Sequence, residues 1–234
     1  MKLAIFDIDG TLVNTNEIDT ICFLDAFTQE FGISDVNSNW SEYSAVTDSA
    51  ISQQIFQTKL QRNPSKNELL RLENRFVDLL AKAEQKNQGL FTPISGALVM
   101  FDRLKLDSNW RIAIATGGWY TSALFKLKTA TFDIGNIPLA SANDGLTRDD
   151  IVNLSILKAK QEYNIENFSK IVSIGDGIWD VKTTAKLDLG FVGISQVQTQ
   201  KKLFQAGAKD VLTNFEQVSN FQQILEQAVV PSIF

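Results

Sequence analysis

Short apolar runs recur along the chain and have the length expected of buried β-strands. The first covers residues 3–8 and is followed by Gly10, which lets the chain turn sharply. Comparable runs lie at residues 111–115, 170–174 and 189–194. Runs that are apolar throughout, without an alternating polar face, indicate strands covered on both faces of a parallel sheet.

Segments with the periodicity of amphipathic helices lie between and after these runs. They cover approximately residues 120–128, 151–163, 179–186 and 215–227. Strands that alternate with helices of this length are typical of βαβ units. The pattern therefore predicts an α/β fold with a doubly wound parallel sheet.

A long helical segment separates the first predicted strand from the second. Residues 14–88 contain no convincing strand, but they show amphipathic patterns at residues 18–31, 49–61 and 66–86. Ser65 and Glu68 fit the capping box that begins the last of these helices. One crossover connection would not need so many residues, so this segment is better explained as an insert.

The length of 234 residues fits one large domain or a core with a smaller insert. We predict an α/β core of residues 1–14 and 89–234, interrupted by a helical cap of residues 15–88. Hydrophobic residues make up 44% of the chain and charged residues 21%. This composition supplies enough apolar material for such a core.

Charge and hydropathy restrict the partners of the chain. The net charge is −5 and the basic residues are scattered, whereas nucleic-acid binding usually needs a basic patch. No run approaches the ~18 apolar residues of a membrane-spanning helix, and the N-terminus does not resemble a signal peptide. We therefore expect a cytoplasmic protein that binds neither nucleic acid nor membranes; its oligomeric state is left open.

The absence of histidine excludes several kinds of catalytic site. Ser–His–Asp and Cys–His chemistry and all histidine-ligated metal sites require a residue that this chain lacks. Cys22 is the only cysteine, so the chain cannot form an internal disulfide. We interpret Cys22 as a small buried hydrophobic residue. Catalysis must then depend on carboxylates, lysine, arginine, hydroxyls and backbone amides.

Carboxylates and a hydroxyl follow three of the predicted strands. Asp7 and Asp9 follow the first, Thr116 the second, and Asp176 and Asp180 a later one. Ligands of parallel sheets bind at this edge. Crowded carboxylates need a cation, and an oxygen-only ligand set favours Mg²⁺. Two carboxylates spaced two residues apart on an extended chain point the same way, so one can attack phosphorus while the other transfers protons.

Three sequence motifs resemble those of the haloacid dehalogenase-like hydrolases. The run Phe6-Asp7-Ile8-Asp9-Gly10-Thr11-Leu12 resembles the first motif of this superfamily, and residues 115–118 and 175–180 resemble the second and fourth. The resemblance covers the whole chain. It is to the phosphatase branch with a helical cap inserted after the first motif, the phosphoglycolate phosphatase-like proteins.

The resemblance implies a role for each carboxylate. Asp7 would be the nucleophile and Asp9 the general acid and base. Mg²⁺ would be held by the Asp7 carboxylate, the Asp9 backbone carbonyl and Asp176. Asp180 would lie outside the direct ligands or hold a water that binds the metal.

The resemblance also implies a phosphate site. Thr116 and the turn at Gly117 would bind the phosphoryl oxygens. The third motif needs a cation near the start of the helix before the fourth motif, and Arg148 has the right spacing, although the usual lysine-proline pair is missing. Lys158 and Lys160 are alternatives, but helix geometry would carry them away from the strand ends.

Two interpretations of the cap remain open. Thr47 and Asp48 precede a predicted cap helix, where they fit an N-cap. They could also form the loop that reaches over the active site and contacts the leaving group.

The resemblance implies a Mg²⁺-dependent phosphatase that acts on phosphate monoesters of small metabolites through an aspartyl-phosphate. By the same resemblance, Asp9 argues against carbon–halogen cleavage, because family members that cleave such bonds lack this second aspartate. Family phosphomutases often carry a Glu-Asp pair in the fourth motif, so Gly175-Asp176 here favours water as the phosphoryl acceptor. The alternatives are a β-phosphoglucomutase-like phosphomutase, a non-catalytic ligand-binding or regulatory protein, and a structural module. The family resemblance suggests sugar phosphates and phosphoglycolate-like acids as substrates.

Overall fold

The computed structural model describes residues 1–232, and a six-stranded parallel sheet lies at its centre. The strands run in the order β5-β4-β1-β6-β7-β8. A separate antiparallel pair, β2 and β3, lies outside this sheet. The strands are β1 (Lys2–Phe6), β2 (Val13–Asn14), β3 (Thr92–Pro93), β4 (Trp110–Ala115), β5 (Leu139–Ala140), β6 (Lys170–Gly175), β7 (Gly190–Ile194) and β8 (Val211–Leu212).

Helices cover the sheet and fill the segment after the first strand. A short 3₁₀ helix, Trp40–Glu42, lies between the first two α-helices. The α-helices are α1 (Asn16–Phe31), α2 (Asp48–Leu60), α3 (Lys66–Lys86), α4 (Ala97–Lys105), α5 (Tyr120–Thr129), α6 (Arg148–Glu162), α7 (Ile178–Lys186), α8 (Val197–Gln205) and α9 (Val218–Gln227). Within residues 1–232, no helix is both long and apolar enough to cross a membrane.

The predicted α/β fold with a doubly wound parallel sheet is confirmed. The four predicted strands correspond to β1, β4, β6 and β7. Their predicted ends differ slightly, because the first strand ends at Phe6 and residues 7 and 8 already belong to the following loop. The helix predicted from residue 215 begins only at Val218, after a loop in which the Phe215 backbone N–H donates to the Ser95 carbonyl at 2.8 Å.

Several short elements were not predicted from the sequence. They are the 3₁₀ helix, α4, α8, β2, β3, β5 and β8. β2 includes Asn14, the first residue of the segment in which no strand was expected. The strands among these elements contain only two residues each. A two-residue strand shows no periodicity, so its presence depends on the neighbour with which it pairs.

β1 is buried on both faces and sets the register of the sheet. Leu3 and Ile5 pack against the helical layer that includes Ile151, while Phe6 packs against the rings of Phe101 and Phe221 on the other face. The last residue of β1 lies opposite the fifth residues of both β4 and β6. The segments that follow these three strands therefore leave the sheet at the same edge.

Helices α1, α2 and α3 form the proposed cap, residues 15–88. α1 packs along α3, and the aromatic rings of Phe23, Phe27 and Phe76 fill the space inside. The antiparallel pair of β2 and β3 marks the two crossings between this segment and the core, with Val13 opposite Pro93. The cap also contacts the core through α3 and α5. The boundaries of the two domains stay a prediction.

Candidate active site

Three carboxylates converge at the carboxyl edge of the sheet. Asp7 follows β1, where its backbone N–H donates to the Ile174 carbonyl at 2.9 Å. Asp176 follows β6, and Asp180 lies in the first turn of α7. One carboxylate oxygen of each of the three lies within 4.8 Å of the others. The sequence-predicted residues from two separate strand ends are thus neighbours in space.

A glycine and an asparagine allow Asp176 to enter this cluster. Gly10 has a φ of 71°, and a Cβ at that position would overlap the Asp176 carboxylate. The Asn16 side chain donates from Nδ2 to Asp176 Oδ2 at 2.8 Å. Glycine at this position therefore meets two requirements: it adopts the positive φ of the turn, and it leaves room for the Asp176 side chain.

Burial and mutual repulsion disfavour the ionised forms of these carboxylates. Burial raises the pKa of Asp7 to about 7; the Arg148 guanidinium opposes this rise, and the charges of Asp180 and Asp9 add to it. Burial, followed by the charges of Asp7 and Asp180, raises the pKa of Asp176 well above its usual range. A bound cation would relieve this repulsion, and an all-oxygen set suits Mg²⁺. The residues present therefore fit the metal that the family resemblance implies.

Arg148 lies beside the predicted nucleophile. It begins α6, whose N-terminus is capped by Thr147, and its Nη2 lies 3.2 Å from Asp7 Oδ2 and also contacts Asp180 Oδ1. The second oxygen of Asp180 accepts the Gly177 backbone N–H at 3.0 Å. Both oxygens of Asp180 are thus bonded to protein groups. This leaves Asp180 better suited to orient Arg148 than to bind a metal directly.

The two alternative lysines of the third motif lie elsewhere. Lys158 Nζ donates to the Leu139 carbonyl and to Asp144, both at 2.8 Å. Lys160 Nζ donates to Asn167 at 3.2 Å. Neither contacts the cluster around Asp7, as helix geometry suggested.

The turn after β4 contains Thr116 and Gly117, the residues predicted to bind phosphate. Thr116 is buried, and its hydroxyl oxygen accepts the Gly118 backbone N–H at 3.1 Å, which leaves the hydroxyl proton free to donate. A Cβ on Gly117 would lie 2.6 Å from Arg148 Nη1 and 2.7 Å from the Val46 carbonyl. Only glycine fits between the cap and the arginine.

The loop that begins α2 closes over this turn. The Asp48 backbone N–H donates to the Gly117 carbonyl at 2.8 Å, and Asp48 Oδ2 accepts the Trp119 backbone N–H at 2.9 Å. Thr47 caps α2 by accepting the Ala50 N–H at 3.2 Å and also donates to the Leu146 carbonyl at 2.8 Å. Thr47 and Asp48 thus occupy both positions suggested by the sequence, a helix N-cap and a loop over the site.

A cavity of about 270 Å³ lies between the cap and the sheet edge. Its core side contains Asp7, Asp9, Asp176, Thr116 and Arg148. The cap side combines the carboxylates of Asp19 and Asp48 with an apolar wall of Phe23, Trp40, Val46 and Ile51. The volume suits a small molecule.

The sequence did not indicate the group that contacts Asp9. Lys126, on α5, is only 1% exposed; its Nζ lies 2.8 and 2.9 Å from the two oxygens of Asp9 and also contacts Asp19. The Thr15 hydroxyl donates to the same Asp9 carboxylate. One sequence pattern could have revealed this lysine, because it occupies the buried face of α5 together with Ser122, Ala123 and Leu127.

Comparison with known proteins agrees with this geometry. The model of a hydrolase family, the haloacid dehalogenase-like hydrolases, matches residues 1–188. The chain belongs to this family. Its membership confirms the family resemblance found in the sequence and the expectation that the protein is a hydrolase. Comparison with curated proteins by sequence gives no significant match.

Solved structures share the fold of this haloacid dehalogenase-like hydrolase. A hydrolase from Pseudomonas syringae has a TM-score of 0.69 at 20% identity, with 95% of this chain and 98% of that chain covered. A putative beta-phosphoglucomutase from Bacteroides vulgatus gives 0.67 at 13%, with 98% and 90% covered. CbbY from Rhodobacter sphaeroides, in complex with phosphate, gives 0.65 at 18%, with 92% and 95% covered. At these identities the similarity establishes the common fold.

Proposed function

We propose that this chain is a Mg²⁺-dependent phosphatase that hydrolyses phosphate monoesters of small metabolites through an aspartyl-phosphate on Asp7. The observation that carries the proposal is the position of Arg148, 3.2 Å from Asp7 and within a cluster of carboxylates suited to Mg²⁺. A nucleophile, a phosphate-binding cation and a metal site at one point fit phosphoryl transfer. Mg²⁺ would be held by the carboxylates of Asp7 and Asp176 and the backbone carbonyl of Asp9, and would neutralise charge on the phosphoryl oxygens.

In the first step, Arg148 and the Thr116 hydroxyl hold the phosphoryl oxygens. A carboxylate oxygen of Asp7 attacks phosphorus and the bond to the ester oxygen breaks. Asp9 donates a proton to the departing alkoxide, which leaves as the free alcohol. The contacts of Asp48 with Gly117 and Trp119 close the cap and keep bulk water out of the cavity during this transfer.

In the second step, water replaces the alcohol. Asp9, now ionised, takes a proton from the water as its oxygen attacks phosphorus. The bond between phosphorus and the Asp7 oxygen breaks, and inorganic phosphate is released. Asp7 returns as a carboxylate, and Asp9 is protonated again for the next turnover.

The charges around the cavity favour a substrate with a single anionic group. Among residues 1–232, Arg148 is the only cation that lines the cavity, and Asp7 and Asp180 already contact it. The cap side presents the carboxylates of Asp19 and Asp48, with no basic side chain beside the leaving group. A second phosphate or a carboxylate there would have no cation to pair with, and a charge left unpaired in the cavity costs several kcal/mol.

The lack of a second cation in the cavity argues against two earlier suggestions, a phosphomutase and phosphoglycolate-like acids as substrates. Transfer of the phosphoryl group to the hydroxyl of a sugar phosphate produces a bisphosphate, so a phosphomutase must accommodate two phosphates at once. CbbY, which shares the fold, has been crystallised with xylulose 1,5-bisphosphate. This chain offers no second cation for such a ligand in the described cavity, and the same holds for phosphoglycolate-like acids.

Phosphate release is expected to depend on Mg²⁺. Incubation of the protein with glycerol 3-phosphate or p-nitrophenyl phosphate should release inorganic phosphate with Mg²⁺, and chelation by EDTA should abolish the release. Phosphate and alcohol should appear in equal amounts. Formation of an isomerised sugar phosphate in place of phosphate would identify a mutase, while no turnover of a broad panel of phosphate esters would favour a non-catalytic protein.

Substrates with one charged group are expected to react faster than those with two. In a matched panel, glycerol 3-phosphate should exceed phosphoglycolate and fructose 1,6-bisphosphate in kcat/KM by at least about 100-fold, which corresponds to about 3 kcal/mol. Released phosphate measures all three. Equal or faster turnover of the doubly charged compounds would contradict this substrate class while leaving the phosphatase chemistry intact.

A further inference from the structure

Lys126 is a buried charge that the proposed reaction does not yet use. It lies in the last turn of α5, is 1% exposed and does not line the cavity. Its ammonium lies 5.6 Å from the centre of the Phe76 ring. Moving an ammonium group from water into the protein interior costs free energy unless the group is paired with an anion. Lys126 can therefore be buried only because anionic partners surround it.

Those partners are carboxylates from two parts of the molecule. Asp9 follows β1 in the core, whereas Asp19 lies in the first turn of α1, within the proposed cap. Lys126 contacts both of them. Burial alone would lower the pKa of Lys126, but the charges of Asp19, Asp9 and Asp48 raise it, so the lysine remains a cation. A permanent positive charge thus joins the cap to Asp9.

The Asp9 carboxylate is held at both of its oxygens. Oδ1 accepts the Thr15 hydroxyl and lies 2.8 Å from Lys126 Nζ, and Oδ2 accepts from the same ammonium at 2.9 Å. An unrestrained aspartate side chain rotates freely about its bonds. These contacts from two sides fix one orientation of the carboxylate, and Asp9 lines the cavity.

We propose that Lys126 is a positioning residue for the proton transfers of Asp9, and that Asp19 holds Lys126 in place in turn. The inference rests on the proposed phosphatase reaction. Proton transfer requires the acid within hydrogen-bond reach of the departing oxygen, and misplacement by about 1 Å costs about 100-fold in rate. Lys126 touches neither substrate nor metal and acts only through the orientation of Asp9.

The dependence on the leaving group distinguishes this role from a merely structural one. p-Nitrophenyl phosphate and phenyl phosphate have similar shapes, but nitrophenolate departs without a proton, whereas phenolate is more basic and benefits from general acid catalysis. The ratio of kcat/KM for the two compounds therefore reports on Asp9. A general weakening of the fold would lower both values equally.

The experiment compares the full-length wild type with Lys126→Met. Methionine has nearly the same length but no charge. We expect kcat/KM for phenyl phosphate to fall about 100-fold, and that for p-nitrophenyl phosphate to fall less than about tenfold. Asp9→Asn should also lower kcat/KM for phenyl phosphate more than that for p-nitrophenyl phosphate, and by a larger factor. Lys126→Arg should return the ratio part of the way to the wild-type value. Lys128→Met is the matched control, since Lys128 is exposed on the same helix, and its ratio should stay at the wild-type value.

Asp19→Asn tests whether Asp19 holds Lys126 in place. It also provides the test of the inference if Lys126→Met does not fold. It keeps the pair of Lys126 with Asp9 but removes the negative charge that anchors the lysine, so the ratio should shift in the same direction by a smaller factor. The double variant Asp19→Asn/Lys126→Met should shift the ratio no further than Lys126→Met alone, because Asp19 acts on Asp9 only through Lys126.

Two results would overturn the inference. Equal losses of kcat/KM for both aryl phosphates in Lys126→Met and Asp19→Asn would leave Lys126 with a structural role only. Wild-type kcat/KM for both compounds in both variants would leave it without any role in catalysis. Failure of the proposed function has a separate signature, because wild-type protein would then release phosphate from neither compound. Where the wild type is active, the ratio tests Lys126 alone.

Discussion

Replacement of Asp7 by asparagine is expected to abolish phosphate release while the protein remains folded. Asparagine keeps the shape of the side chain and the backbone bond to Ile174, but its amide does not attack phosphorus. We expect kcat to fall by about 10⁴-fold or more, as in other enzymes that lose a covalent nucleophile. Steady-state phosphate release with p-nitrophenyl phosphate and Mg²⁺ measures the loss.

The matched control for this substitution is Asp102→Asn. Asp102 is exposed on α4 and belongs to no ion pair among the described residues, so its loss should leave kcat within twofold of the wild type. Rapid acid quenching of the wild type should also trap protein that carries one phosphoryl group, detected by intact mass, and Asp7→Asn should show none. Near-normal activity in Asp7→Asn would exclude the aspartyl-phosphate mechanism.

The main parallel sheet was largely predictable because its strands are buried on both faces. Such strands are apolar throughout, and this pattern needs no knowledge of their neighbours. The bounds of α3 were also predicted correctly, because Ser65 and Glu68 form the capping box that starts it. α4 was missed because residues 97–101 are continuously apolar, so no polar position reveals the helical period. The short strands depend on pairing and were not predictable locally.

The candidate site was predictable where residue type and strand position suffice. Carboxylates that follow parallel strands meet at one edge, so the closeness of Asp7 and Asp176 follows from the fold class. Lys126 and Asp19 were missed because their importance depends on how the cap packs on the core. A lysine on the buried face of a helix contradicts the usual pattern, and such a contradiction is itself an indication of a special role.

Substitution of Asp176 by asparagine is expected to change activity and stability in opposite directions. In the metal-free protein, burial and the neighbouring carboxylates of Asp7 and Asp180 raise the pKa of Asp176 well above its usual range, so its ionised form opposes folding at neutral pH. Asparagine removes that charge and can still accept from Asn16. We therefore expect the Tm of the metal-free variant to rise by ~2–4 °C, which corresponds to about 1 kcal/mol for a chain of this size.

The same substitution should remove the response to Mg²⁺. A ligand that binds the folded state raises Tm, so saturating Mg²⁺ should stabilise the wild type and Asp102→Asn but not Asp176→Asn. Phosphatase activity should fall about 10³-fold, because one carboxylate ligand is lost and the remaining ones bind the cation weakly. Melting curves with Mg²⁺ and with EDTA separate the two effects without any substrate. A variant that is still stabilised by Mg²⁺ as strongly as the wild type would show that Asp176 does not hold the metal, and the cluster at the sheet edge would then need another explanation.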